Sequence, residues 1–238
     1  MKSGFVCGMT VNENNELILA DSKGSDRILV YDDNDNYKYQ IDTKHRPWDI
    51  ALIPGKNLGV LTSEQEEVLQ FVDFDKKKIF RIVSVKESNQ GGVAATNKNI
   101  YVGTKGNITI LDLEGRFIRS MKFQNEKVAP WFISLDKTGN IFYTTTKLLG
   151  CIRSDGAEVY TYSTPDNDNL WKLAVDNHGY VYVAVNKKGI YRLKPDGTFM
   201  DIVVNDERIS FVLGICFNNK FTKMVLSQGH MVSVFNQK

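Results

Sequence analysis

The stretch Trp131-Phe132-Ile133-Ser134-Leu135-Asp136-Lys137-Thr138-Gly139-Asn140-Ile141-Phe142-Tyr143-Thr144 reads as two short strands joined by a tight turn. The turn is Asp136 to Gly139, and glycine accepts the positive φ that such a reversal needs. The same arrangement recurs along the chain. Apolar triplets stand at Met9-Thr10-Val11, Ile50-Ala51-Leu52, Val93-Ala94-Ala95, Ile133-Ser134-Leu135, Leu173-Ala174-Val175 and Ile215-Cys216-Phe217, with first residues 41, 43, 40, 40 and 42 positions apart. The middle residue is small in all six. Side chains alternate across a strand, so each triplet keeps one face thin, as innermost strands must where several sheets converge on one axis.

Second strands are expected at 17–20, 58–61, 100–103, 141–144, 181–184 and 224–226, and third strands at 28–31, 68–71, 108–111, 151–153, 190–193 and 232–235. Fourth strands such as 79–83 and 117–121 follow acidic or Asp-Gly turns. Four antiparallel strands per unit, six units and no helical periodicity describe an all-β fold, a six-bladed β-propeller filling residues 1–238 as one domain. After 232–235 only Asn236, Gln237 and Lys238 remain, so the last blade is expected to lack a fourth strand of its own. Residues 1–5 are too few to supply one, which sets the expectation that the parent protein extends upstream of Met1.

The 238 residues carry 30 basic and 28 acidic side chains, a formal charge of +2, so any charged site must be local. No apolar stretch reaches membrane-span length and the N-terminus has no signal-peptide pattern, so a cytoplasmic protein is expected. Cys7, Cys151 and Cys216 form neither a disulfide framework nor a zinc motif. Cys7 and Cys216 differ by three positions relative to their triplets, about 10 Å along a strand at about 3.3 Å per residue, so free thiols are expected.

Three segments carry a family likeness: Arg46-Pro47-Trp48-Asp49-Ile50; Leu17 to Asp21 leading to Arg27 to Asp32; and Gly106 to Asp112 followed by Glu114-Gly115. They resemble NHL-repeat propellers at the C-terminus of tripartite-motif (TRIM)-like proteins, particularly the invertebrate sets. The likeness runs from about Val6 to Phe235 and rests on core and turn residues. It implies a module that recruits protein or RNA targets for a ubiquitin ligase, whose RING, B-boxes and coiled coil would lie outside this sequence.

Six-bladed propellers also include metal-dependent lactonases, which hold a central cation with several carboxylates and amides. The position before each triplet carries Gly8, Asp49, Gly92, Phe132, Lys172 and Gly214. One carboxylate does not hold calcium, and Lys172 would oppose a cation. His45, His178 and His230 fall on separate blades, and Gln90-Gly91-Gly92 precedes a strand rather than a helix, so no metal, cofactor or catalytic residue is assigned and an enzyme is not expected.

All three tryptophans, Trp48, Trp131 and Trp171, stand two residues before a triplet, where they either plug the packing between blades or offer aromatic contacts. The face bearing the fourth-to-first and second-to-third connections carries eleven basic and twelve acidic residues, against a uniform phosphate-binding surface. Lys105, Lys147, Lys187 and Lys188 nevertheless form an arc opposite Glu64 to Glu67. The rim around Arg46, Trp48, Lys105, Lys127, Trp131, Lys147, Trp171 and Lys172 is therefore expected to bind a macromolecular partner, a protein in preference to RNA.

Overall fold

The computed structural model describes residues 4–22, 26–88, 91–122, 129–206 and 211–236. They form 23 strands in six antiparallel sheets, five of four strands and one of three. Blade 1 contains β1 (Val6–Val11), β2 (Leu17–Asp21), β3 (Arg27–Tyr31) and β4 (Tyr37–Asp42); blade 2, β5 (Pro47–Leu52), β6 (Leu58–Ser63), β7 (Val68–Asp73) and β8 (Lys78–Ser84). Blade 3 contains β9 (Val93–Ala95), β10 (Asn99–Thr104), β11 (Asn107–Asp112) and β12 (Phe117–Lys122); blade 4, β13 (Phe132–Leu135), β14 (Ile141–Thr144), β15 (Leu149–Ile152) and β16 (Glu158–Tyr162). Blade 5 contains β17 (Leu170–Val175), β18 (Val181–Val185), β19 (Gly189–Leu193) and β20 (Phe199–Val204); blade 6, β21 (Gly214–Phe217), β22 (Lys223–Gln228) and β23 (Met231–Asn236). The chain is a six-bladed β-propeller with the triplets innermost. No helix of the described residues is long and apolar enough to cross a membrane.

The turns follow from their aspartates. Asp136 Oδ1 accepts hydrogen bonds from the backbone N–H groups of Thr138 (2.8 Å) and Asn140 (2.9 Å), while Gly139 takes φ +88°. Asp176 repeats the device with His178 and Tyr180, and Asp112 with Glu114 and Arg116. A short side chain that ties down its own backbone replaces the ladder bonds lost at the reversal.

The core lies between blades. Ile50 packs onto Ile18, Ala20, Ile28 and Val30 of blade 1, whereas its neighbour Ala51 faces Val93, Ile100 and Val102 of blade 3. Alternation therefore sends the large members of a triplet to one neighbouring blade and the small one to the next, and six such clusters fill the six gaps. Close backbone approach explains the glycines before β9. A Cβ on Gly92 would lie 2.4 Å from the Phe132 Cα, and Gly92 N–H donates to Pro130 O at 3.0 Å. Gly92 thus serves packing of blade 3 against blade 4, while Gln90 lies outside the described residues.

Among the described residues the ring closes without a fourth strand in blade 6. Val6 N–H donates to Gly229 O at 2.9 Å, the Ser227 hydroxyl donates to Val6 O at 3.3 Å, and the Asn219 amide donates to Asn12 O and Glu13 O. Cys216, Val225, Met9, Leu19 and Leu29 complete the seam between blades 6 and 1.

All three cysteines are unbridged and buried. Burial pushes the Cys216 thiol up to about 12, against the pull of the nearby Lys172 ammonium, and burial likewise raises Cys151 to about 12. Thiolate is the reactive form. Native protein at pH 8 is therefore expected to leave all three thiols unmodified by a disulfide reagent over minutes and to release three on denaturation; rapid modification of Cys216 in native protein would contradict this burial.

Candidate functional site

Residues in one phase of the repeat share one level of the axis, and the ring before the triplets runs Gly8, Asp49, Gly92, Phe132, Lys172, Gly214. Blades 2 and 5 are opposite each other in a ring of six, and Lys172 Nζ reaches across the axis to Asp49 Oδ1 at 2.5 Å. Both side chains are buried. Asp49 also accepts from Ile50 N–H and Val93 N–H, and Lys172 Nζ stands 4.8 Å from the centre of the Phe132 ring. The glycines make room: a Cβ on Gly8 would lie 2.9 Å from Asp49 Oδ1.

On one side of this layer the six triplets, Lys172 and Phe221 line a funnel of about 320 Å³, open to the face of the first-to-second connections. On the other side aromatic rings occupy the axis. Trp48 stacks on Phe132 (centroids 6.0 Å, 14°), Trp131 meets Trp48 edge-on at 6.4 Å, Trp171 meets Trp131 edge-on at 5.3 Å, and Phe211 tilts against Trp171 at 5.2 Å. Edge-to-face pairs of this kind add to the area they bury. The rings grade from inside to outside. Trp48 is 7% exposed, Trp131 and Trp171 are half-buried, and Phe211 is 56% exposed with φ +52°.

The structure separates the sequence-derived candidates into three groups. Trp48 and Lys172 are inside the molecule, one under the aromatic rings and the other in the axial ion pair. Trp131, Trp171, Arg46, Lys105 and Lys147 reach the face of the second-to-third and fourth-to-first connections, and Lys127 lies outside the described residues. Arg46 pairs with Asp26 and Glu64 at 3.6 Å each. Phe211 was not among the candidates; it lies in a connection four residues before a triplet, where no other blade has a described aromatic except at Phe5's end of blade 1.

Two lysines of the basic arc meet partners in a neighbouring connection. Lys188 bonds Asp166 and Asp168, which hold its ammonium above its ordinary range, and Lys147 Nζ donates to Asn167 O at 2.5 Å. Asp166, Asn167 and Asp168 belong to the neighbouring fourth-to-first connection, so counting charges connection by connection had set Lys147 and Lys188 apart from the groups that meet them.

No family model matches the chain, and no curated protein matches it. Solved structures do. A Kuenenia stuttgartiensis hydrazine synthase structure is similar over 100% of this chain and 97% of its own (TM-score 0.73, 12% identity). The Myceliophteria thermophila Cps50 (Swd1) β-propeller domain is similar over 100% and 99% (0.73, 8% identity). Virginiamycin B lyase from Staphylococcus aureus is similar over 100% and 86% (0.72, 13% identity). At these identities the likeness is one of fold; NHL membership is not among the findings.

These neighbours correct one expectation. The chain was not expected to be an enzyme, yet the same architecture occurs in a lyase and in hydrazine synthase. Chemistry resides in sites grafted onto a fold, so the absence of a recognised catalytic motif in propeller strands does not exclude an enzyme.

Proposed function

We propose that this chain recognises a protein partner through the face of the second-to-third and fourth-to-first connections, with Trp131, Trp171 and Phe211 as its central anchors. The observation that carries this reading is the graded aromatic stack, which ends in an exposed phenylalanine at the axis of the face. Aromatic anchors at the centre with charged residues around them are the arrangement in which a few side chains carry most of the binding energy. A target-recruiting role within a tripartite-motif-like ubiquitin ligase rests on the sequence resemblance alone. RNA binding is the second reading, favoured by exposed Lys105, Lys147 and Lys187. The pairing of Lys188 with two aspartates offsets its charge, and the hydrogen bond of Lys147 to the Asn167 carbonyl engages its ammonium, so fewer ammonium groups are left for phosphates.

The test is affinity capture with the wild-type chain and two folded variants, Trp171→Ala with Phe211→Ser, and Lys105→Glu with Lys147→Glu, at low and moderate salt. A protein partner is expected to survive moderate salt and to be lost in the aromatic variant, since truncating a hot-spot aromatic costs about 2 kcal/mol or more. Nuclease-sensitive, steeply salt-dependent binding lost in the lysine variant would establish the RNA reading instead.

A further inference from the structure

The turn bonds fix which backbone groups line the axial funnel. Asp176 N–H donates to Tyr180 O, so along the same ladder Ala174 and Tyr182 exchange hydrogen bonds, while Leu173 and Val175 turn their N–H and C=O groups the other way, towards the axis. The equivalent bond closes this turn in the other five blades, which puts the first and third members of all six triplets in the same phase. Ile50 and Val93 obey it, since their N–H groups reach Asp49 at the axis. Each inner strand runs from the layer of Asp49 and Lys172 towards the mouth, so in every first member the N–H comes before the C=O and the floor is a ring of donors. Asp49 takes those of Ile50 and Val93. The N–H groups of Met9, Ile133, Leu173 and Ile215 are left directed at the funnel.

The floor shows one charge of the axial pair and hides the other. The Lys172 side chain is 7% exposed and lines the funnel, whereas the Asp49 side chain is 0% exposed and does not. Among the described residues that line the funnel, Lys172 is the single charged one. An ammonium has three N–H groups; one goes to Asp49, and the Phe132 ring lies 4.8 Å away. Burial raises the thiol of Cys216 on the funnel wall, and the Lys172 ammonium pulls against it, so its field extends into the funnel. Beyond the floor the wall is apolar, with Leu52, Leu135 and Val175, and at the mouth Phe221 tilts against Phe217 with centroids 5.6 Å apart.

We propose that the funnel binds a small organic carboxylate, with its anionic head on the Lys172 ammonium and the free N–H groups of the floor and its apolar body against Leu52, Leu135, Val175 and Phe217. A monoanion matches the single charge on show, whereas a phosphate dianion would find no second cation among the lining residues. The volume of about 320 Å³ lies at the lower end of the about 300–1,000 Å³ of small-molecule sites, which suits a ligand of about ten non-hydrogen atoms. The site opens on the opposite face from Trp131, Trp171 and Phe211 and does not depend on the partner those residues recognise.

The probe is benzoate, with benzamide as its neutral counterpart of equal size. Titrated into isotope-labelled protein at neutral pH without other carboxylates, benzoate is expected to move the amide resonances of Met9, Ile133, Leu173 and Ile215 saturably, with a dissociation constant of about 10 mM or below, the range open to so small a ligand. Benzamide is expected to bind at least tenfold more weakly. Asp49→Leu combined with Lys172→Met is expected to abolish benzoate binding, and Phe211→Ser to leave it unchanged. Absence of a saturable change at these amides in wild-type protein, equal affinities for benzoate and benzamide, or undiminished benzoate binding by the folded double variant would each overturn the proposal.

Discussion

Asp49→Ala is expected to lower the free energy of unfolding by about 3–5 kcal/mol, the cost of stranding one member of a buried ion pair. The substitution removes the carboxylate that Lys172 meets at 2.5 Å, together with the acceptor for Ile50 N–H and Val93 N–H. What remains is an ammonium in an axis bounded by Phe132 and the inner strands. The pair need not stabilise the fold in absolute terms, because two well-packed apolar side chains of similar volume often serve as well or better. Asp49→Leu combined with Lys172→Met is therefore expected to recover most of the loss that Asp49→Ala incurs. Urea unfolding monitored by tryptophan fluorescence measures all three proteins. A loss below about 1 kcal/mol for Asp49→Ala, the scale of an exposed pair, would show that Lys172 swings into the funnel and finds water there.

Phe132→Ala is expected to cost a similar amount, about 3–5 kcal/mol, as large-to-small changes of buried aromatics do. Phe132 is fully buried, lies under Trp48 and beside the Lys172 ammonium, and has Gly92 against its backbone. Its removal would open the axis between the funnel and the aromatic stack, where backbone approach limits how far blades 3 and 4 can collapse. Phe132→Leu, which keeps most of the volume, is expected to cost less than about 1.5 kcal/mol. Equal losses for the two variants in the same unfolding experiment would mean that ring stacking and the cation–π contact, rather than volume, set the role of this residue.

The repeat was legible because the same physical demand recurs in every blade. Thr10, Ala51, Ala94, Ser134, Ala174 and Cys216 are small for one reason, and that reason predicted the six sheets, whereas the three-stranded last blade was read from the few residues that follow 232–235. The axial pair was half legible. Asp49 and Lys172 occupy one phase of the repeat on blades three apart, which places them opposite each other, but reading the position only for metal ligands missed the pairing across 123 residues. Trp48 shows the limit of phase alone. It shares its repeat position with Trp131 and Trp171, yet it is covered while they are half-buried, because burial depends on what the connections above it do. Phe211 and the Lys188 pairing with Asp166 and Asp168 belong to those connections, whose conformations no period constrains.

The most direct test of the recognition face is site-specific photo-crosslinking, with a benzophenone side chain placed at Phe211 in one protein and at Lys56, in the β5–β6 connection on the opposite face, in another. The account predicts protein adducts from position 211 that Trp171→Ala greatly reduces, and few or none from position 56. Adducts of equal yield from both positions, or RNA as the material attached at 211, would contradict it.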